Sequence, residues 1–219
     1  MDPSKARLLE IIKERAVMHG DFTLASGKKS NYYINGKKAL LSGEALRRFG
    51  EICADMLPPN IDAVGGLEVG AIPLATAAVC ALDGATGGEY RVESFYVRKK
   101  VKDHGSKDLI EGVVKAGDRV VIVDDVLTTG GSVLQAVEAV EAVGAKVVKV
   151  ICVVDRLQGA REALAKYAFE PIFTIRDLGI EPMPEESAPL GPGARALMEA
   201  ADRQTLADIN AVAVQGDPR

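Results

Sequence analysis

Residues 120–133, VVIVDDVLTTGGSV, set an aliphatic run ahead of two adjacent carboxylates and a turn of hydroxyls and glycines. A continuous Val/Ile run is what a strand buried on both faces of a parallel sheet requires. Unpaired carboxylates are costly to bury, so Asp124 and Asp125 are expected where the strand leaves the sheet, at its carboxyl end. Open α/β sheets bind their ligands at that edge. The bland alternative is a strand with an ordinary capped turn, in which Asp125 or Thr129 serves as a helix N-cap.

Working outward, GGSVLQAVEAVEAVGA has the spacing of a helix ending at Gly144, and KVVKVICVVDR reads as the next strand. GAREALAKYA then predicts a helix and FEPIFTI a last strand. On the amino-terminal side, IDAVGG is a short strand entering a glycine turn, VGAIPLATAAVCAL a small-residue helix, and YRVESFYVR a strand. Residues 43–57, GEALRRFGEICADML, carry apolar positions at helical spacing and stop at Pro58-Pro59. The chain starts with a helix capped by Asp2 with Pro3 at its first position, and His19, before a glycine, is assigned to a helix end. FTLASGKKSNYYING, residues 22–36, reads as a turn running into a short strand. Strands separated by helices imply right-handed crossovers, so the fold class is α/β, a central, mainly parallel sheet flanked by helices. The expected domain covers residues 1–178. Residues 179–219 form an extension that opens with Pro182, Pro184, Pro189 and Pro192 before a helix-forming ALMEAADRQTLADINAV.

Composition narrows the function. The 219 residues are 47% hydrophobic and 26% charged, as in an ordinary globular protein. A net charge of -4 offers no global basic field, so nucleic acid is not an expected partner. Cys53, Cys80 and Cys152 lie among aliphatic residues without CxxC or His-bearing metal spacing, which predicts reduced core thiols. The amino terminus lacks the apolar core of a signal peptide, and no segment approaches eighteen apolar residues, so no membrane association and a cytoplasmic location are expected.

Thr128, Thr129, Gly130, Gly131 and Ser132 stand between a strand end and a helix start, where free N–H groups and the helix dipole favour an anion. No GxGxxG follows a strand and no GxxxxGK[ST] exists, which argues against dinucleotides and Walker-type nucleotides. A phosphate monoester in this cup leaves Asp124 and Asp125 placed to accept sugar hydroxyls. The ligand suggested is a ribose 5-phosphate.

Aliphatic strand, Asp124-Asp125, two residues, then Thr-Thr-Gly-Gly-Ser resembles the phosphoribosyl diphosphate (PRPP) motif of the type I phosphoribosyltransferases, and the resemblance spans most of residues 15–176. FTLASGKKSNYYIN, VRKKVKDHG and VVDR resemble the orotate-using branch of that family. The resemblance implies transfer of ribosyl phosphate from PRPP to orotate, giving orotidine 5-phosphate and diphosphate in pyrimidine (UMP) synthesis. It also implies a small N-terminal hood at about residues 1–40, a flexible active-site loop and a homodimer with shared active sites. Arg98, Lys99, Lys102, His104, Asp124, Asp125, Val126, Leu127 and Thr128 to Ser132 match PRPP-binding positions, with Lys102, Asp124 and Asp125 the catalytic ones. Concentrated cations in that loop would stabilise the charge developing on departing diphosphate. Thr128 and Arg156 match orotate-binding positions, and an arginine fork suits a carboxylate. The backbone near Tyr33 and Ile34 matches a segment that touches orotate. Mg2+ is implied as cofactor, held mainly through PRPP with no dense protein ligand set, although Glu68 is a candidate for a water-mediated contact. Where some members carry a lysine and a Tyr-Lys pair, this chain has Ala25 and Val69-Gly70. The competing readings are a transferase for another base and a non-catalytic PRPP sensor.

Overall fold

The structure is a computed structural model, and it describes residues 2–23, 29–89, 91–100 and 109–182. Its centre is a six-stranded sheet assembled around the aliphatic run of the opening motif. That run lies in β6 (Arg119–Leu127), flanked by β3 (Ala63–Leu67) and β7 (Lys146–Asp155). Outside them stand β4 (Glu93–Val97) beside β3, and β8 (Phe169–Thr174) beside β7. All of these pairs are parallel; the two-residue β5 (Ile110–Glu111) adds an antiparallel edge to β4. Val120 to Val123 are fully buried, as a strand covered on both faces demands.

The crossovers run through α4 (Ala71–Thr86), α5 (Gly131–Ala142) and the short α6 (Ala160–Ala163). In α5 the buried Val133, Ala136, Val137 and Val140 recur at helical spacing and line the stripe that faces the sheet. Helix α3 (Gly43–Met56) starts where the Ser42 hydroxyl accepts the Ala45 N–H at 3.4 Å, and it buries Ala45, Phe49, Gly50 and Cys53. Gly50 lets α3 approach α4 closely, since a Cβ there would stand 2.6 Å from the Ala77 carbonyl oxygen. Helix α1 (Pro3–Arg15) is capped by the Asp2 carboxylate, which accepts the Lys5 N–H at 2.8 Å.

Several local expectations need correction. Helix α1 stops at Arg15, and His19 lies in a strand, β1 (Val17–Thr23), rather than at a helix end. Residues 17–34 separate as a second unit, in which β1 pairs antiparallel with β2 (Lys29–Ile34) and the Phe22 and Tyr33 rings lie 5.7 Å apart. A five-residue helix, α2 (Gly36–Leu40), was not signalled by any apolar periodicity. GAREALAKYA yields only the four residues of α6, because a turn over residues 164–166 ends it early. Cys53 and Cys152 are buried, but Cys80 is exposed on α4 and is no core thiol. The helix expected within residues 196–212 lies outside the described residues. Among those described, no helix is long and apolar enough to cross a membrane.

Candidate functional site

The acid pair does not sit beyond the strand. β6 continues through both carboxylates to Leu127, with Asp124 in register with Cys152 and only 6% exposed. The expectation that the pair leaves the sheet assumed an unpartnered charge, whereas Asp124 is partnered twice. Its Oδ2 accepts the Ser132 hydroxyl at 2.6 Å and its Oδ1 accepts the Asp125 N–H at 2.9 Å. Polar contacts of this kind offset the cost of burial. Removal from water and, next, the neighbouring charge of Asp125 push the Asp124 carboxyl up to about 7; the Ser132 hydroxyl pulls the other way.

Asp125 remains partly open, with 15% of its side chain exposed, and its Oδ1 accepts the Val126 N–H at 2.9 Å. Two glycines frame its carboxylate. A Cβ on Gly70, at the amino end of α4, would stand 3.0 Å from Asp125 Cγ and Oδ1, and one on Gly36 would stand 3.2 Å from Oδ2. The ammonium of Lys37, on α2, lies 3.7 Å from the same Oδ2.

Val126 and Leu127 complete the strand, and Thr128 to Gly130 form the turn that enters α5. Gly130 adopts φ 82°, a left-handed conformation that glycine takes without steric cost, and no side chain caps the helix. Neither Asp125 nor Thr129 is the N-cap, which is Gly130. The helix therefore opens without a side-chain cap on its first turn, just after Thr128 and Thr129 in the chain and with Ser132 as its second residue. Ser132 joins this turn to the acid pair, since the second residue of α5 is the one that binds Asp124.

Other elements reach the same sheet edge. The backbone N–H of Arg156, just past β7, donates to the Leu127 carbonyl at 2.9 Å, which sets Arg156 beside the strand end that leads to Thr128. Arg98 follows β4 and pairs with Glu111 at 3.5 Å. The Lys99 N–H donates to Glu68 Oε1 at 2.8 Å, and the Lys99 carbonyl accepts the Gln135 amide of α5 at 3.4 Å. Glu68 is thus a tether for the Lys99 backbone, a task that the lone glutamate in a glycine turn did not announce. Lys102 and His104, like Ala25, lie outside the described residues. Lys37 was missed in the sequence, and Asp155, at the end of an apolar run, is fully buried. Among the described residues no group of three His, Cys, Asp or Glu side chains could enclose a metal.

A family model described as the phosphoribosyl transferase domain matches residues 39–178. The orotate phosphoribosyltransferase of Methanocaldococcus jannaschii is 46% identical over 177 residues, covering 80% of this chain and 96% of that protein. That of Rhodopirellula baltica is 41% identical over 186 residues, 81% of this chain and 95% of its own length. Among solved structures, Mycobacterium tuberculosis orotate phosphoribosyltransferase in complex with Fe(III) dicitrate is similar at a TM-score of 0.72 and 38% identity, over 81% of this chain and 100% of that one. The same protein in complex with PRPP gives a TM-score of 0.69 and 35% identity, over 81% of this chain and 100% of that one.

Proposed function

The chain belongs to the phosphoribosyl transferase family and transfers the ribosyl phosphate of PRPP to orotate, and from that premise we propose how its residues divide the reaction. The 5-phosphate rests in the turn Thr128 to Ser132, on the first N–H groups of α5. The ribose hydroxyls donate to Asp124 and Asp125, and the same carboxylates favour the positive charge that builds on the sugar as its C1–O bond loosens. Arg98 and Lys99, with Lys102 and His104, neutralise the departing diphosphate. Arg156 and Thr128 hold the carboxylate and ring of orotate so that N1 attacks C1. Val126 and Leu127 contribute backbone. When bound, Mg2+ would ride on PRPP oxygens and spread the diphosphate charge. The protein works as a cytoplasmic homodimer whose loop serves the neighbouring site.

The observation that carries this reading is the 2.6 Å bond from Ser132 to Asp124, which ties the acid pair to the turn proposed to hold the phosphate. The test is loss of orotate absorbance with PRPP and Mg2+ in the wild type, Lys102→Ala and Arg156→Ala. Lys102→Ala is expected to lower turnover and Arg156→Ala to raise the KM for orotate. Wild-type kinetics in both would overturn the residue roles.

A further inference from the structure

Asp155 ends β7 with no exposure at all, a full carboxylate in the sheet edge that the reaction as described does not use. Buried carboxylates are costly unless their partners are good, yet here only one oxygen is well served. Oδ1 accepts the Leu157 N–H at 2.8 Å. Oδ2 makes no hydrogen bond and has Arg161 Nε of α6 at 3.5 Å, with that guanidinium lying over the Phe169 ring at 5.5 Å. What Asp155 achieves is visible in the backbone. The Oδ1 bond spans two residues and folds the chain into an Asx turn, and within that turn Leu157 takes φ 55°. A leucine seldom adopts the left-handed region, so something must hold it there.

Arg156 is the residue between. Its own N–H is tied to the Leu127 carbonyl at 2.9 Å on one side, and the peptide that follows it is tied through Leu157 to Asp155 on the other. With the backbone fixed at both ends, the direction in which the Arg156 side chain leaves the main chain is fixed as well. Asp155 also lies in register with Leu127, the residue before Thr128. We propose that Asp155 is a positioning residue for orotate: by folding the turn 155–157 it aims Arg156 at the substrate carboxylate without touching substrate itself. This rests on the role of Arg156 given above.

The experiment measures both KM values and kcat for Asp155→Ala, Asp155→Asn, Arg156→Ala and the double variant Asp155→Ala/Leu157→Gly. Asp155→Ala should raise the KM for orotate about tenfold, the scale of one hydrogen bond to a charged group. The KM for PRPP should stay within about twofold, as for an independent site. Asp155→Asn keeps the acceptor for Leu157 and should restore most of the orotate affinity. Glycine enters the left-handed region freely, so Leu157→Gly in the Ala background should recover part of the loss. If Asp155→Ala leaves the orotate KM unchanged, or raises both KM values alike with only a lower Tm, the proposal fails. Should Asp155→Ala not fold, the Asn variant decides: an orotate KM as poor as that of Arg156→Ala would mean that the charge, not the turn, matters, and would overturn it. The two readings fail separately. An unchanged orotate KM in Arg156→Ala removes the role of Arg156, whereas a raised one beside an unaffected Asp155→Ala removes only the present inference.

Discussion

Replacing Ser132 by alanine removes one hydroxyl, and the structure says at which pH the loss is felt. The Ser132 Oγ donates to Asp124 Oδ2 at 2.6 Å, and Asp124 is almost wholly buried. Burial and the charge of Asp125 raise its carboxyl to about 7, from an ordinary value of 3.8. A raised acid binds its proton more tightly in the folded state than in the unfolded one. Its contribution to stability is therefore greatest below the ordinary value and is lost as pH rises through about 7. At pH 8 the Ser132 bond is to a carboxylate, worth about 1.5–3 kcal/mol; at pH 5 it is to a neutral acid, worth about 0.5–1.5 kcal/mol. Ser132→Ala should thus destabilise by about 1 kcal/mol more at pH 8 than at pH 5. For a chain of this size that is about 2–4 °C of additional Tm loss. Thermal unfolding of wild type and variant at the two pH values measures it. An equal loss at both, or a larger one at pH 5, would refute the ionisation argument and with it the account of how a buried acid is tolerated in β6.

Three further outcomes follow from the same geometry. Asp124→Asn removes a buried charge and its repulsion with Asp125, so its Tm at pH 8 should match or exceed that of wild type while turnover falls by about tenfold or more. Gly70→Ala places a methyl group 3.0 Å from the Asp125 carboxylate and should lower kcat/KM about tenfold with little change in Tm, read by steady-state kinetics beside a melt. Gly50→Ala, 2.6 Å from the Ala77 carbonyl and distant in sequence from the acids, should cost about 1–3 kcal/mol in a denaturant titration and leave KM values unchanged.

The parts of the fold that were legible are those where local pattern and tertiary role coincide. The Val120–Val123 run announced a central strand because burial on both faces leaves no polar position, and the spacing of Val133, Val137 and Val140 announced α5 because only one face is covered. His19 misled because a glycine follows it, and glycine marks bulges in strands as readily as helix ends; here the β1–β2 register shifts between His19 and Phe22. The two residues of β5 are too few to show alternation at all. At the site, the Thr-Thr-Gly-Gly-Ser turn and the acid pair could be read as chemistry, but not as geometry. That Asp124 stays inside the strand depends on a hydroxyl eight positions later, which the letters hold but only the fold turns back onto the acid, and that Lys37 reaches Asp125 depends on α2 packing near β6, a contact that no window of sequence contains.

The placement of the acids within β6 also determines how this site can come apart. β6 is paired with β7 from Arg119 to Leu127 and with β3 from Val120 to Ile122, so the stretch that leads into the acids has no free edge from which to fray, while the acids themselves are held from the β7 side. Amide protons there exchange only when the whole sheet opens, and the slowest-exchanging amides of the protein should mark the strand that bears its acids. Most binding loops can loosen while the body stays folded; these carboxylates stand on a strand whose root opens only with the sheet.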